Sequence, residues 1–172
     1  ARPDFESIGR FLLPVNHLAL WLRSSLGYSP GDREDPFANF YFGSFGNNWV
    51  DYQDVKRYRA NYSFPGIELN EAGGTNYGKL LMELDLPPLR FRRFGVLNAY
   101  CTWARCAIFS SGLLTNVDDA GTRRTLFNVG GQVDLRIVIF SNMESMFSLG
   151  YAVALEKSER IKKEFMISLK IL

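Results

Sequence analysis

The sequence contains little histidine, little cysteine and no long apolar run, and each shortage excludes a class of protein. Its 172 residues include one histidine, His17, and two cysteines, Cys101 and Cys106. It has no metal-spaced Cys or His cluster, no G-x-S-x-G motif and no phosphate-binding loop. We therefore expect a non-enzymatic segment without a metal or cofactor. The longest apolar run is five residues, at 18–22 and 151–155, whereas a membrane-spanning helix needs about 20.

An excess of one charge sign is absent as well. Twenty basic residues balance 18 acidic ones, which leaves a net charge of +2. This is not the large excess of basic residues that is typical of a nucleic-acid-binding domain. Disorder is not expected, because 47% of the residues are apolar and 15% are aromatic. The length suits one domain.

Apolar residues recur at every second position along most of the chain, and this alternation predicts β-strands. The predicted strands are 16–28, 77–87, 95–109, 127–140, 145–155 and 163–172. One face of these strands is large and apolar, at Leu80, Met82, Leu84, Val133, Leu135, Ile137, Leu149, Val153, Ile167 and Leu169. The other face is small or polar and includes Glu83, Asp85, Gln132, Asp134 and Arg136.

Two folds would produce such alternation. A soluble sandwich turns its apolar face inward, whereas a transmembrane barrel turns it outward to lipid. Small residues such as Gly130, Ser148 and Gly150 on the polar face suit a lumen better than a solvated surface. Short turns, predicted at 141–144 and at Pro87-Pro88, alternate with longer loops, as in outer-membrane barrels. We therefore predict an antiparallel transmembrane β-barrel, with its apolar face toward lipid.

Aromatic residues near the strand ends agree with this prediction. Outer-membrane barrels carry aromatic girdles at both membrane interfaces. We expect Tyr28, Tyr77, Phe94 and Phe165 to contribute to these girdles.

A segment of about 48 residues, 29–76, separates the first two predicted strands, which is far longer than an ordinary connection. It holds an aromatic element at 40–43 and a Ser-Phe-Pro-Gly-Ile-Glu element from 63 to 68. A Gly-Gly-x-Asn sequence then opens a strand that contains Glu83 and ends at Pro87. The closing pair of strands has the pattern Ser-x-Gly-Tyr-Ala at 148–152.

In their order and spacing, these elements resemble the bacterial surface antigen family, the barrel domain of the outer-membrane assembly and two-partner secretion superfamily. The resemblance covers about residues 15–172 and implies the C-terminal half of a sixteen-stranded barrel in the cell outer membrane. It also implies a role as a membrane anchor or as a component of protein translocation or assembly. The lumen loop that it implies comprises Phe64, Pro65, Gly66, Ile67, Glu68, Gly73, Gly74 and Asn76.

This chain departs from the family pattern at two positions. Pro65 stands where the family has an arginine, and Thr102 stands where the family has that arginine's aspartate partner. We therefore expect segment 64–76 to fold into the lumen through van der Waals contacts and backbone hydrogen bonds, without an ion pair. The expected contact surface is Gly130, Gln132, Ser148 and Gly150.

Six strands cannot close such a barrel, so the expected partners are the lipid bilayer and further barrel strands, from an N-terminal segment or another chain. A periplasmic soluble domain is a further expected partner, and residues 1–15 are expected to be a lead-in.

A hairpin of 37–45 with 49–64 would instead give eight strands, which could close into a barrel without further strands. The alternative function is that of a small soluble β-barrel that binds a lipid or another apolar ligand.

Overall fold

The computed structural model describes residues 3–12, 18–45, 55–96, 98–140, 143–156 and 161–171. These residues confirm an all-β fold with antiparallel pairing. Their helical structure consists of two single 3-10 turns, Pro36–Ala38 and Arg57–Arg59, and none of it is long or apolar enough to cross a membrane. The strands are β1 Asp4–Leu12, β2 Ala19–Tyr28, β3 Phe40–Phe42, β4 Ala72–Gly74, β5 Asn76–Asp85, β6 Leu89–Val96, β7 Ala99–Thr115, β8 Arg124–Ile139, β9 Met143–Glu156 and β10 Ile161–Ile171.

One large sheet has the order β1-β2-β5-β7-β8-β9-β10, and β6 also pairs with β7. Each of the six predicted strands has a counterpart in it. β5 pairs with 107–115 of β7, and β6 pairs with 99–104, so β5 and β6 form one strand with an interruption. The turn predicted at Pro87-Pro88 is wrong: prolines lack the N–H that a ladder needs, but they do not reverse the chain here.

The lead-in predicted at residues 1–15 contains a strand, β1, that was not predicted; residues 1–2 and 13–15 lie outside the described part of the chain. β1 pairs with β2 along its whole length, from Asp4 opposite Gly27 to Leu12 opposite Ala19. The sequence hid this strand because Ser7 and Gly9 interrupt the apolar alternation between Phe5 and Phe11. As a result, β2 is an interior strand, with β1 on one side and β5 on the other.

The sheet is not closed into a barrel. In the described part of the chain, β1 and β10 each have one neighbour, and β2 does not pair with β10. The alternative hairpin of 37–45 with 49–64 is not formed as predicted, because β3 pairs with β4. One isolated bridge joins Ser44 to Phe64, and residues 46–54 of that hairpin lie outside the described residues.

The two faces of the sheet differ sharply in chemistry. We call the face that contacts the described parts of segment 29–75 the inner face, and the opposite face the outer face. Polar side chains on the inner face are buried: Glu83, Gln132 and Asp134 are each 1% exposed. Apolar side chains on the outer face are not, and Leu80 and Met82 are each 47% exposed. None of the ten residues predicted for the apolar face is buried.

Segment 64–66 lies directly on the inner face. The side-chain amide of Asn128 donates to the carbonyl of Pro65 over 2.7 Å. A Cβ at Gly66 would lie 2.8 Å from both the backbone nitrogen and the Cβ of Ala154, and its φ is +103°. The contact point is therefore one inner-face position away from the predicted Gly130 surface. Only glycine combines this backbone angle with so close an approach.

We predict that Gly66→Ala lowers the free energy of unfolding by about 1–3 kcal/mol, because the new methyl group must displace the loop or β9. Gly112→Ala is the control, since nothing lies within 4 Å of a Cβ there. Denaturant unfolding of both variants provides the measurement. Equal stability of the two variants would show that the loop is not seated on β9.

Candidate functional site

The long loop meets β5 at a buried carboxylate. The 3-10 turn Arg57–Arg59 and the residue before it carry three donors to Glu83. Lys56 Nζ lies 2.6 Å from Glu83 Oε1, and Tyr58 Oη donates to the same oxygen over 2.8 Å. Arg59 adds two bonds, Nε to Oε2 over 2.7 Å and Nη2 to Oε1 over 2.6 Å. Both Glu83 oxygens are therefore occupied by groups from the loop.

A second carboxylate, Asp85, completes the cluster. Lys56 also pairs with Asp85, and Arg59 Nη2 lies 3.3 Å from Asp85 Oδ2. Trp21 Nε1 donates to that oxygen over 3.1 Å, and the Arg59 guanidinium lies 5.3 Å from the centre of the Trp21 ring. Two cations thus face two anions. We call Lys56, Tyr58, Arg59, Glu83 and Asp85 the docking cluster.

Electrostatics give the docking cluster a structural role. Burial, followed by the charge and hydrogen bond of Glu83, raises the pKa of Tyr58 far above its usual value. Burial opposes the charge on Arg59, but the hydrogen bonds and charge of Glu83 outweigh it and raise the Arg59 pKa. Tyr58 therefore stays a neutral donor and Arg59 stays a cation near neutral pH. Neither group is tuned to exchange protons, as a general acid or base would be.

Aromatic packing also holds the turn Arg57–Arg59 against the inner face of the sheet. The Tyr58 ring stacks on Phe109 of β7, with centroids 4.1 Å apart and planes within 12°. Phe45 meets Phe109 edge-on at 5.8 Å. Gly130 makes room for this stack, because a Cβ there would lie 2.5 Å from Phe109 Cζ. The small residues of the inner face are thus sites where rings fit.

A lysine of the sheet binds the loop just after this turn. The Lys79 ammonium donates to the backbone carbonyls of Ala60, Asn61 and Ser63, over 3.0, 2.8 and 2.5 Å. Its three N–H groups match these three carbonyls, of which that of Ala60 also accepts from the Ser63 N–H. The loop is therefore attached to β5 through its side chains at Glu83 and through its backbone at Lys79.

The remaining predicted polar residues of the inner face divide into two groups. Gln132 Nε2 donates to Asp134 Oδ1 over 2.6 Å and to the Val55 carbonyl over 2.8 Å. Ser148 Oγ donates to Asp134 over 2.8 Å. Arg136 belongs to neither this network nor the docking cluster, because it pairs with Glu144 of β9.

The other end of the loop is tied to β8 and β10. Glu71 pairs with Lys162, and Arg124 Nη2 lies 3.6 Å from Glu71 Oε1. Glu164 accepts from the backbone N–H groups of Phe45 and Gly66, over 2.9 and 2.8 Å. The expectation that segment 64–76 forms no ion pair is therefore wrong at Glu71. The loop is therefore held to the sheet by ion pairs at Glu71 as well as at Lys56 and Arg59.

The other residues of the predicted lumen loop have varied environments. Phe64, Ile67 and Gly74 are buried, Gly73 is half-buried and Glu68 is exposed. Asn76 opens β5 and donates to Asp118 over 2.6 Å. Thr102 donates to the Arg136 carbonyl over 3.3 Å and has no role in loop docking.

Sequence reasoning missed the docking cluster as a unit. It found Glu83 and Asp85 on one face but did not connect them with Lys56 and Arg59, which lie more than 20 residues away along the chain. The available signal was charge: two acids on a face expected to be enclosed require cations. Within the described ranges, no group of His, Cys, Asp and Glu side chains is arranged to hold a metal ion.

Comparison with known proteins adds no assignment. No protein-family model matches this chain, and neither do any curated protein or any solved structure. The surface antigen resemblance therefore rests on its motifs alone.

We predict that Glu83→Gln lowers the free energy of unfolding by up to about 3–5 kcal/mol, because it removes the more buried of the two carboxylates that face Lys56 and Arg59. Glu68→Gln is the matched control, since Glu68 is exposed on the same loop. Denaturant unfolding and protease cleavage within 29–75 both report the effect. A Glu83→Gln variant as stable and as protease-resistant as the control would contradict the docking role.

The contact at Glu71 is predicted to weaken in acid. Burial raises the Glu71 pKa, but the Lys162 hydrogen bond and charge, the Glu68 N–H and Arg124 together bring it below the usual 4.5. Because the pKa of Glu71 is lower in the folded than in the unfolded protein, its ionised form stabilises the fold at pH values above the unfolded-state pKa. This stabilisation is lost as the pH falls through the folded-state pKa. Stability should therefore drop below pH 4.5 less steeply in Glu71→Gln than in the parent protein. Parallel pH profiles in unfolding experiments would contradict this.

Proposed function

We propose that this chain is a non-enzymatic segment of an outer-membrane β-barrel, whose outer face contacts lipid and whose inner face is plugged by loop 29–75. The observation that carries the proposal is the reversed polarity of the two faces. On the inner face, carboxylates and amides such as Glu83, Asp134 and Gln132 are buried. On the outer face, the large apolar side chains are exposed or half-buried. In water this arrangement would be inverted, because burial of apolar surface is what stabilises a soluble fold.

The apolar outer face extends over the whole sheet. Its exposed large residues occur on both edge strands and on the strands between them: Phe5, Leu26, Leu80, Met82, Ile108, Leu114, Phe127, Val129, Tyr151, Leu155, Phe165 and Ile171. Monomeric soluble proteins rarely expose contiguous apolar patches of this kind, and larger ones mark membrane or protein contact sites.

Aromatic residues at the strand ends give partial support. Tyr28, Phe94 and Phe165 are 56%, 66% and 62% exposed, as an aromatic girdle requires. Tyr77 is not part of it: this residue is buried on the inner face, where its hydroxyl donates to Asp4 over 2.6 Å. Its ring instead occupies the space left by Gly27, since a Cβ there would lie 2.3 Å from it.

The proposed role is that of a membrane anchor or of a component of protein translocation or assembly, as the surface antigen resemblance implies. The loop is fixed by the docking cluster, by Lys79 and by Glu71, which favours a static plug over a moving one. The alternative, a soluble barrel around an apolar ligand, has less support. In the described structure, loop segments and polar side chains fill the inner face, and the apolar surface lies outside.

We predict that Leu80→Lys weakens membrane insertion, because a lysine facing lipid costs about 2–4 kcal/mol at the bilayer midplane and about 0–1 kcal/mol near the interfaces. Leu69→Lys is the control: Leu69 is 63% exposed, against 47% for Leu80, but it lies on the loop. Folding into lipid vesicles, followed by band shift on unheated gels, gives the measurement. A soluble protein would tolerate both substitutions equally.

A further inference from the structure

The two open edges of the sheet run in the same direction. Seven strands lie on the continuous path from β1 to β10, and each pairs antiparallel with the next. An odd number of alternating strands begins and ends with the same orientation. β6 does not change this count, because it continues β5 along the same partner strand.

We infer that the sheet is completed by a segment that contributes an odd number of strands, each antiparallel to its neighbours, and not by a second copy of these strands. This inference rests on the proposed function, because only a sheet in lipid must have no open edge. Bacterial single-chain barrels contain an even number of antiparallel strands, so seven strands require an odd complement. We call this complement the completing segment; the described residues do not supply it.

Strand direction argues against the two simplest closures. Direct pairing of β1 with β10 in one chain would join two parallel strands. Two copies inserted in the same orientation would place β10 of one beside β1 of the other, and this pair would be parallel as well. The completing segment instead presents two outer strands that both run opposite to β1 and β10.

Charge adds a second feature of the completing segment. Arg10 lies on the inner face of edge strand β1, with its guanidinium 5.0 Å from the centre of the Trp21 ring. Among the described residues no carboxylate lies within ion-pair distance of Arg10. The strand that pairs with β1 is therefore expected to carry an inward-facing Asp or Glu beside Arg10.

Photo-crosslinking of the full-length protein in its membrane tests the inference. A photoreactive phenylalanine analogue is placed at two positions on each edge, Ser7 and Phe11 on β1 and Phe165 and Leu169 on β10. The same analogue at Leu22, on an interior strand, is the control. Mass spectrometry then maps each attachment point.

The expected result is attachment at both edges to sequence outside the described residues. Along each edge the two attachment points should occur in the reverse order of the two probe positions, while Leu22 reaches only β1 or β5. Attachment to any part of a second copy, attachment of β1 probes to β10, parallel order at either edge, or no product at the edges would overturn the inference.

Two further measurements test membrane integration and the acid beside Arg10 separately from the strand count. Extraction of the same membranes with alkaline carbonate tests the proposed function: release of the protein would refute membrane integration, whereas retention with parallel cross-links would refute only the odd complement. Arg10→Glu should reduce the yield at Phe11, while Arg92→Glu, an exposed arginine of β6, should not. If the cross-linking yield at Phe11 is unchanged in both variants, the strand beside β1 carries no inward-facing acid next to Arg10.

Discussion

The buried Glu83 carboxylate is the constraint on which the arrangement of the chain depends. A charge that is 1% exposed requires opposite charges and hydrogen-bond donors within contact distance. β5 itself does not satisfy it, so the loop must cross the inner face and bring Lys56, Tyr58 and Arg59 to it. Once the loop lies there, the inner face is covered and the outer face is left as the apolar surface.

The same constraint explains the small residues of the sheet. A loop of this length can lie on the inner face only where side chains leave space. Gly66 approaches Ala154, and Gly130 accommodates Phe109, at distances where an added Cβ would clash. Ala154 thus leaves space for the loop at Gly66, and Gly130 leaves space for the Phe109 ring that stacks on Tyr58.

The sequence predicted the pattern of strands and faces well because each depends on local alternation. β8 spans Arg124–Ile139, against a prediction of 127–140, and β9 spans Met143–Glu156, against 145–155. β1 escaped prediction because Ser7 and Gly9 stand between Phe5 and Phe11 on its outer face, while Ile8 stands on its inner face, so the strand shows little apolar alternation. The continuation of β5 into β6 was missed because two prolines are ordinarily a sign of a turn.

The docking cluster could not be predicted from local pattern. Its two sides lie more than 20 residues apart in sequence, and nothing in the segment from Lys56 to Arg59 indicates which acids it meets. The family pattern directed attention to position 65, whereas the ion pairs form at Lys56, Arg59 and Glu71. Tertiary placement, not residue type, determined which charges are partners.

Depth-dependent fluorescence quenching tests the central claim most directly. Single cysteines are placed at Met82 on the outer face and at Ser148 on the inner face, in a background where Cys101 and Cys106 are replaced by serine, and are labelled with an environment-sensitive dye. The protein is then folded into vesicles that contain lipids with brominated acyl chains. We predict strong quenching at Met82 and weak quenching at Ser148. Equal quenching at both positions, or quenching at neither, would contradict a sheet whose outer face meets lipid and whose inner face is closed by its own loop.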